Sequence, residues 1–477
     1  MLMPLQAPSA DSLQAVFEAQ RAAFAGERYP SRAQRLSRLD SLLQLLVEHE
    51  AEFIRAIDGD FSGRSAHETR LAELFIVRAG IRHAQAHLGR WMHQRRLTTA
   101  LHFLPASNRL LPQPLGVVGI VSPWNYPLQL ALGPSVAALA AGNRVIIKPS
   151  ELTPRFCAAL AQRVAQRFDA TELTVVCGDA ELGRAFTALP FDHLFFTGST
   201  AVGRQVAQAA AANLTPVTLE LGGKSPAVFD PSVNLAEAVP RLAFGKLLNA
   251  GQTCIAPDYL LVPRGQTDRV VQGLKQAVSR LFPTLRANAD YTAIISDRHR
   301  QRLQALVDEA QAQGARIVVL NPSGDSFDTG TRKLAPTLVL GATPAMRIMR
   351  EEIFGPVLPI VEYDGLDDAI AQINAGDRPL ALYWFGRDSE HRDHVLRETH
   401  AGGVTVNDCL WHLAQESQPF GGVGASGQGA YHGQWGFDRF SHLKPVFRQA
   451  RLNGTFLFHP PYGRTFDALL ALLQRIV

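Results

Sequence analysis

Residues 116–122 read GVVGIVS and open a stretch in which short β-branched runs alternate with longer segments rich in Ala and Leu. The strand-like runs after it are RVIIKP (144–149), LTVV (173–176), HLFFT (193–197) and VTLEL (217–221). The helix-like runs are PLQLALGPSVAALAAG (127–142), ELTPRFCAALAQRVAQ (151–166) and AVGRQVAQAAAA (201–212). Strands that alternate with helices predict a parallel sheet with helices on its faces, in the manner of dinucleotide-binding domains.

Helical periodicity precedes this stretch, and a second alternating pattern follows it. Apolar residues recur at helical spacing from about Asp11 to Arg95, which predicts a helical N-terminal layer. From about Leu235 to Val406, strand-like YLLVP, RIVVL and TLVL lie between helical segments and predict a second α/β domain. The tail from Thr465, TFDALLALLQRIV, suits an amphipathic helix that packs on the body or on a partner subunit, with a membrane-surface anchor as the alternative.

Composition excludes several classes of protein. The chain has 477 residues, of which 46% are hydrophobic and 19% charged, which is ordinary for globular domains. A net charge of +4 without runs of like charge does not suggest nucleic-acid binding. The four cysteines show neither zinc-type spacing nor a dense disulfide framework, so we predict no metal site and a cytoplasmic location. No apolar stretch is long enough to span a bilayer.

One cysteine has the setting of a nucleophile. Cys254 ends the sequence GQTC, which follows a helical segment and precedes a strand, so we expect it in a turn with backbone amides nearby. A lone cysteine is more often a small buried hydrophobe, and we assign that structural role to the other three. They are Cys157, Cys177 and Cys409.

Two polar residues stand where apolar or turn residues are the rule. Glu220 lies inside the apolar strand VTLEL, and burial would raise its pKa towards neutrality, as a general base requires. A salt bridge at the strand end is the alternative. Asn125, in PWNYP, lies just beyond a predicted strand, where open α/β sheets place ligands, although ordinary turn chemistry also explains it.

Two further segments suggest nucleotide binding. FTGSTAVG (196–203) follows a strand and opens a helix, so free amides there could face a pyrophosphate. IKPSE (147–151) also follows a strand and offers a cation and a carboxylate to ribose hydroxyls. A plain helix cap and solvated surface charges are the alternative interpretations.

Taken together and in order, these segments resemble the aldehyde dehydrogenase superfamily from about Leu115 to Lys444. The stretches that carry the resemblance are PWNYP, GNRVIIKPSELTP, FFTGSTAVG, LELGGKSP, GQTCIAPDY, REEIFGPV and PFGGVGASGQGAYHG. The last two, with FDRFSHLKP, resemble the dimeric class 3 branch, and the closing HPPYG resembles coniferyl aldehyde dehydrogenases.

The resemblance implies an NAD-dependent enzyme, with NADP tolerated, that oxidises an aldehyde to an acid through a thioester. By it Cys254 matches the nucleophile, Glu220 the general base and Asn125 the oxyanion donor. The cofactor-binding matches are Lys148, Ser150, Glu151, Gly198, Ser199, Gly203, Glu352 and Phe354. The predicted walls of the substrate tunnel are Tyr126, Trp411, His412 and Phe420, which suit aromatic or medium-chain aldehydes, with ordinary core aromatics as the alternative interpretation.

The resemblance also implies a division of the chain and a homodimer. The predicted parts are residues 1–224 (helical layer and NAD(P)-binding domain, interrupted by an oligomerisation arm at about 96–114), 225–425 (catalytic domain), 426–456 (return segment and oligomerisation strand) and 457–477 (tail helix). Two rival functions stay open. One is a CoA-acylating dehydrogenase, which Glu220 argues against, and the other is a non-catalytic protein on the same scaffold, which the intact catalytic set argues against.

Overall fold

The computed structural model describes residues 10–327 and 330–476. Its strands form three sheets, and helices cover them. The α-helices are α1 (Ala10–Gly26), α2 (Arg32–Glu48), α3 (Glu50–Phe61), α4 (Ala66–Thr69), α5 (Ile76–Met92), α6 (Pro127–Ala141), α7 (Pro154–Arg167), α8 (Ala180–Thr187), α9 (Thr200–Ala211), α10 (Leu235–Leu247), α11 (Thr267–Leu281), α12 (Asp297–Ala312), α13 (Arg347–Arg350), α14 (Leu366–Asn374), α15 (Ser389–Glu398), α16 (Gly433–Arg439) and α17 (Arg464–Ile476). The strands are β1 (Arg95–Leu97), β2 (Ser107–Pro114), β3 (Val117–Val121), β4 (Arg144–Lys148), β5 (Leu173–Val175), β6 (His193–Thr197), β7 (Val217–Glu220), β8 (Pro226–Phe229), β9 (Tyr259–Pro263), β10 (Arg316–Val319), β11 (Thr337–Leu340), β12 (Val357–Tyr363), β13 (Ala381–Phe385), β14 (Gly403–Val406), β15 (Gly427–Gln428) and β16 (Ser441–Arg448).

The predicted N-terminal helical layer is present as α1 to α5. Ser31 and Gln34 form a capping box that satisfies backbone groups at the start of α2. The apolar face of α2 buries Leu39, Leu42 and Leu46 against α5 and α6. Sequence periodicity therefore predicts this layer correctly, because each helix has one face in the core and one in water.

The first sheet has the strand order β15-β7-β6-β3-β4-β5 and is parallel except for β15. All five strands predicted between residues 116 and 221 are confirmed. The chain runs outward from β3 through β4 to β5, and then returns to the other side of β3 to add β6 and β7. The carboxyl ends of β3 and β6 therefore meet where the strand order reverses, which is the place where open α/β sheets bind ligands.

The second sheet has the order β10-β11-β12-β9-β8-β13-β14 and is parallel except for β10. Three of its strands, β9, β10 and β11, were predicted, and the other four were missed. The missed β8 and β12 contain Pro226 and Pro359, which weaken a strand signal. Strands that are buried on both faces also lack the alternation that marks a half-exposed strand.

A third, smaller sheet joins distant parts of the chain. Strand β2 pairs with β1 on one side and with β16 on the other, from Ser441 opposite Pro114 to Arg448 opposite Ser107. Beyond β16, the C-terminal helix α17 packs Phe466 against Phe458. Within residues 10–327 and 330–476, no helix has both the length and the apolar composition that a membrane crossing requires.

Candidate active site

A cleft of about 1150 Å³ separates the first two sheets. The first sheet contributes the segments that follow the carboxyl ends of β3, β6 and β7, and the second contributes the turn before β9 and the loops before β12 and β13. Seven residues predicted from sequence line this cleft together. They are Asn125, Gly198, Ser199, Glu220, Cys254, Glu352 and Phe354.

Cys254 follows a tight turn that the backbone can form only in an uncommon conformation. Asn249, Ala250 and Gly251 have φ values of 53°, 52° and 74°, all in the left-handed region. Two of the three are not glycine, and such strain is concentrated at functional sites. At Gly251 a Cβ would lie 2.4 Å from the Gly355 carbonyl oxygen, so both conformation and space require glycine there.

The electrostatic surroundings keep the Cys254 thiol protonated. Removal from water raises the pKa of the thiol to about 12, with Glu352 and Glu220 as further contributors, while the backbone amides of Cys254 and Ile255 lower it. A thiol with this pKa is a poor nucleophile at neutral pH. The chemistry at Cys254 therefore requires a proton acceptor or an added positive charge in the cleft.

Glu220 is the last residue of β7 and is 3% exposed. Among the described residues, neither of its carboxylate oxygens has a hydrogen-bond partner. Burial raises the pKa of Glu220 well above its ordinary value, and the charge of Arg439 opposes that shift only in part. The salt-bridged alternative does not fit this carboxylate, because an ion pair within hydrogen-bonding distance would give its oxygens a partner.

A network that sequence analysis missed fixes Asn125. Its Nδ2 donates to the carbonyl of Gln252, two residues before Cys254, at 3.1 Å. Its own carbonyl accepts from Arg64 Nη1 at 2.6 Å and from Asn249 Nδ2 at 2.9 Å. Arg64 is buried, with Nη2 3.1 Å from Glu73 Oε1. This ion pair holds the Asn125 backbone, and within residues 10–327 and 330–476 no hydrogen bond uses the second amide proton of Asn125.

Arg64 and Glu73 were missed because their sequence context gives no signal. Arg64 follows the end of α3 and reads as part of a polar turn, and Glu73 lies within the helical N-terminal layer. Glu73 Oε2 accepts from the Leu128 and Gln129 amides at the start of α6, at 2.7 and 3.2 Å. Only the packing of the helical layer against the first sheet brings these charges to the site.

Glu352 lies in the loop before β12, and its side chain reaches the segment that follows β7. Its carboxylate packs so closely on Gly222 that a Cβ there would lie 2.1 Å from Glu352 Oε2. Burial raises the pKa of Glu352 to about 8, with Asp258 adding to the rise and Lys224 among the groups that oppose it. Lys224 also ties the loop in place, since its Nζ pairs with Asp258 and donates to the Ile348 and Glu351 carbonyls at 2.7 and 3.0 Å.

The cleft suits a dinucleotide at its first-sheet side. Ser199 caps α9, and Thr200 and Ala201 line the cleft at the positive end of that helix. The buried Thr197 hydroxyl has no hydrogen-bond partner among the described residues. Gly203 lies one turn further on, where a Cβ would lie 2.5 Å from the Leu221 side chain, so glycine lets α9 approach the end of β7.

The predicted ribose contacts lie at the end of β4. Lys148 is buried, and its Nζ donates to Glu151 Oε2 at 3.2 Å and to the Pro149 carbonyl at 3.1 Å. Glu151 itself is exposed, and Ser150 is buried beside it. A cation and a carboxylate are thus held together, but Lys148, Ser150 and Glu151 do not line the cleft that contains Cys254, so their contact with a cofactor stays a prediction.

The four predicted tunnel residues do not line the cleft that contains Cys254. Tyr126 is nonetheless close to Cys254, because its hydroxyl hydrogen-bonds Oγ1 of the preceding residue, Thr253, at 2.7 Å. His412 and Phe420 are buried and stack with ring centroids 5.9 Å apart, whereas Trp411 is 42% exposed. Their contact with a substrate stays a prediction.

Comparisons with known proteins agree with this geometry. Residues 2–446 match the profile of the aldehyde dehydrogenase family. The chain is 49% identical to a probable coniferyl aldehyde dehydrogenase of Pseudomonas aeruginosa, over 96% of each chain. The structure is similar to the substrate-bound state of Staphylococcus aureus AldH, with a TM-score of 0.91, 38% identity and coverage of 97% of this chain and 99% of that one. It is also similar to Mycobacterium tuberculosis aldehyde dehydrogenase complexed with NAD+, with a TM-score of 0.84, 30% identity and coverage of 94% and 92%.

Proposed function

We propose, from the premise that this chain belongs to the aldehyde dehydrogenase family and oxidises aldehydes with NAD(P), that Cys254 is its nucleophile, Glu220 its general base and Asn125 its oxyanion donor. The observation that supports this most is the buried Glu220 carboxylate, which has no partner among the described residues and lies in the same cleft as Cys254. A buried carboxylate without a partner is costly to a fold, so its place beside a thiol argues for a role in chemistry.

The first step is addition of the Cys254 sulfur to the aldehyde carbon, with transfer of the thiol proton to Glu220, directly or through a water molecule. The new tetrahedral adduct carries negative charge on the former carbonyl oxygen. The second amide proton of Asn125 and the Cys254 backbone amide stabilise that charge. Bound NAD(P) supplies the hydride acceptor for the oxidation.

Oxidation of the adduct leaves a thioester on Cys254, which must be hydrolysed to release the acid. Once Glu220 has passed the first proton to solvent, it takes a proton from a water molecule that attacks the thioester carbon, and Cys254 leaves as the thiol. A base with a pKa raised towards neutrality is suited to accept this proton and to pass it on. This assignment favours hydrolysis over transfer to CoA.

The cofactor would be held by both sides of the cleft. Ser199 and the start of α9 would meet the pyrophosphate, Lys148 and Glu151 the adenosine ribose, and Glu352 the nicotinamide ribose, with Phe354 beside the ring. Because Glu151 would repel a 2′-phosphate, we expect higher efficiency with NAD than with NADP. Kinetics with both cofactors check this order, and a strong preference for NADP would contradict it.

We propose coniferyl aldehyde or a related aromatic aldehyde as the substrate, with medium-chain aliphatic aldehydes as the alternative. Support comes from the relative named as a probable coniferyl aldehyde dehydrogenase, at 49% identity. The buried aromatic pair His412 and Phe420, with Tyr126 near Cys254, would offer ring surfaces to such a substrate.

The assay compares the wild type, Cys254→Ala and Cys409→Ala with coniferyl aldehyde, benzaldehyde and octanal. We expect reduced cofactor and acid from the wild type and from the Cys409 variant, which loses a buried thiol that does not line the cleft. The Cys254 variant should give neither. Equal activity of the Cys254 variant would refute the nucleophile, and acid formation that requires CoA would favour the acylating alternative.

We infer that the protein is a homodimer through the sheet of β1, β2 and β16. Apolar side chains near this sheet face solvent, including Leu97, Leu101, Phe103 and Phe447. A cluster of that kind is typical of a surface that a second copy covers. Light scattering should give a dimer for the wild type and a monomer for Phe447→Glu, while the control Leu214→Glu, at a residue 90% exposed elsewhere, should stay dimeric.

A further inference from the structure

Two cysteines outside the catalytic site lie in contact with each other. Cys157 is in the first turns of α7, and Cys177 follows β5. The Cys177 thiol donates to the Cys157 carbonyl at 3.4 Å, and the two thiols are close enough that each shifts the pKa of the other. Sequence analysis assigned both cysteines a structural role, because nothing in the sequence indicates that these residues, twenty positions apart, are in contact.

The two thiols differ in access and in acidity. Cys157 is 4% exposed, whereas Cys177 is partly open to solvent. Hydrogen bonding from Cys157 lowers the pKa of Cys177, and the charge of Lys148 lowers it further. The same hydrogen bond raises the pKa of Cys157. This is the arrangement of an attacking thiol with a second thiol poised to resolve it.

We propose that Cys157 and Cys177 are a modification site at which a hydroperoxide forms a reversible disulfide, and that this disulfide weakens cofactor binding. The Cys177 thiolate attacks one peroxide oxygen, so that an S–O bond forms, the O–O bond breaks and the departing hydroxide takes a proton to become water. The Cys157 sulfur then loses its proton and attacks the Cys177 sulfur. The S–S bond forms, and the hydroxyl leaves with a proton as a second water.

The disulfide would affect cofactor binding through the turn that contains Ser150. The Cys157 thiol donates to the Ser150 carbonyl at 3.1 Å, which helps to fix the turn between Lys148 and Thr153. A disulfide removes this donor and pulls the sulfur towards Cys177. The same turn carries the residues that we assign to the adenosine ribose, so this part of the inference depends on the proposed cofactor contacts.

The experiment uses full-length protein with Cys254→Ser, so that oxidation of the catalytic thiol cannot affect the result. Hydrogen peroxide is added, free thiols are blocked, and the protein is digested with trypsin without reductant. Cleavage should place Cys157 in the peptide 156–163 and Cys177 in the peptide 168–184. We expect these two peptides to be linked, and dithiothreitol to separate them. Absence of the linked pair after oxidation overturns the proposal.

The affinity of the same samples for NAD tests whether the disulfide weakens cofactor binding. We expect the dissociation constant to rise at least about fivefold on oxidation, at the lower end of typical couplings between sites, and to recover with dithiothreitol. Because coupling is reciprocal at equilibrium, saturating NAD should lower the ratio of disulfide to dithiol by the same factor when the two are equilibrated in a dithiothreitol redox buffer. Oxidised Cys157→Ser and Cys177→Ser should keep their affinity. Linked peptides with unchanged affinity would refute the coupling.

A last variant separates this inference from the proposed function. If Lys148→Ala kept full NAD affinity before oxidation, the assignment of the ribose contacts would be wrong, and with it the route through Ser150. The linked peptides report on the thiols alone, so they would still decide whether the modification site exists.

Discussion

The two carboxylates that face the cleft from opposite sheets differ in how the protein surrounds them. Glu220, at the end of β7, has no hydrogen-bond partner among the described residues, and its pKa lies well above the ordinary value. Glu352, in the loop before β12, has Lys224 and Arg302 near it, and its pKa is about 8. Burial raises both values, but at Glu352 a hydrogen bond from the Gly223 backbone and the charges of Lys224 and Arg302 oppose the rise, whereas at Glu220 only the charge of Arg439 opposes it.

This difference separates two tasks within one cleft. A carboxylate that is left without partners keeps its lone pairs for a proton from thiol or water, as a base requires. A carboxylate whose loop is tied down by Lys224 and Asp258 is held in place, as a binding group requires. The four experiments below test whether the two groups can be told apart in this way.

The largest effect should come from Glu220→Gln. The amide keeps the size of the side chain but cannot accept the proton, so we expect turnover to fall by about 10² to 10⁴. The first burst of reduced cofactor, which precedes thioester hydrolysis, should fall less than acid release does. Stopped-flow absorbance and product analysis measure both, and a variant with wild-type turnover would remove Glu220 from the mechanism.

The pH dependence of acid release should follow the ionisation of Glu220. Its pKa is raised, so the protein holds a proton on this carboxyl at lower pH, and the base becomes available only as the pH rises through that value. Hydrolysis of the acylated enzyme should therefore speed up with pH, by up to about tenfold per unit below the pKa. In Glu220→Gln this slope should vanish, and a flat wild-type profile would contradict the assignment.

Lys224→Met should remove one of the two cations that lower the pKa of Glu352. The substitution leaves the buried Asp258 without its cation, and breaking such a pair costs about 3–5 kcal/mol of folding free energy. The Glu352 pKa should rise further, since Lys224 lowers it. Denaturant unfolding measures the loss. Arg347→Met, which breaks the more exposed pair with Glu351, is the control and should cost no more than about 1 kcal/mol.

The smallest effect should come from Glu352→Gln. At a pH above about 8, where Glu352 is ionised, loss of this charged acceptor for ribose hydroxyls should raise the KM for NAD about tenfold, in line with about 1.5 kcal/mol for one such hydrogen bond. Turnover at saturating cofactor should change less than it does in Glu220→Gln. The neighbouring Glu351→Gln should leave the KM unchanged. A fall in turnover as large as that of Glu220→Gln would show that the two carboxylates share one task.

Sequence analysis predicted the first sheet better than the second, for a physical reason. Each strand of the first sheet is flanked by an Ala-rich helix, so the change of periodicity marks both elements. In the second sheet β12 and β13 read VLPIVEY and ALYWF, which are apolar on both faces and show no alternation. For strands of that kind, only pairing with neighbours reveals the register.

The sequence by itself determined the family, the alternation of strands and helices and the set of candidate groups, because each of these is a local pattern or an ordered series of motifs. Tertiary structure alone decided which groups share the cleft, how Arg64 and Glu73 hold Asn125, and how Cys157 meets Cys177. These contacts join residues from separate elements, and their strength depends on removal from water. Burial and distance are properties of the packed chain, and no local pattern specifies them.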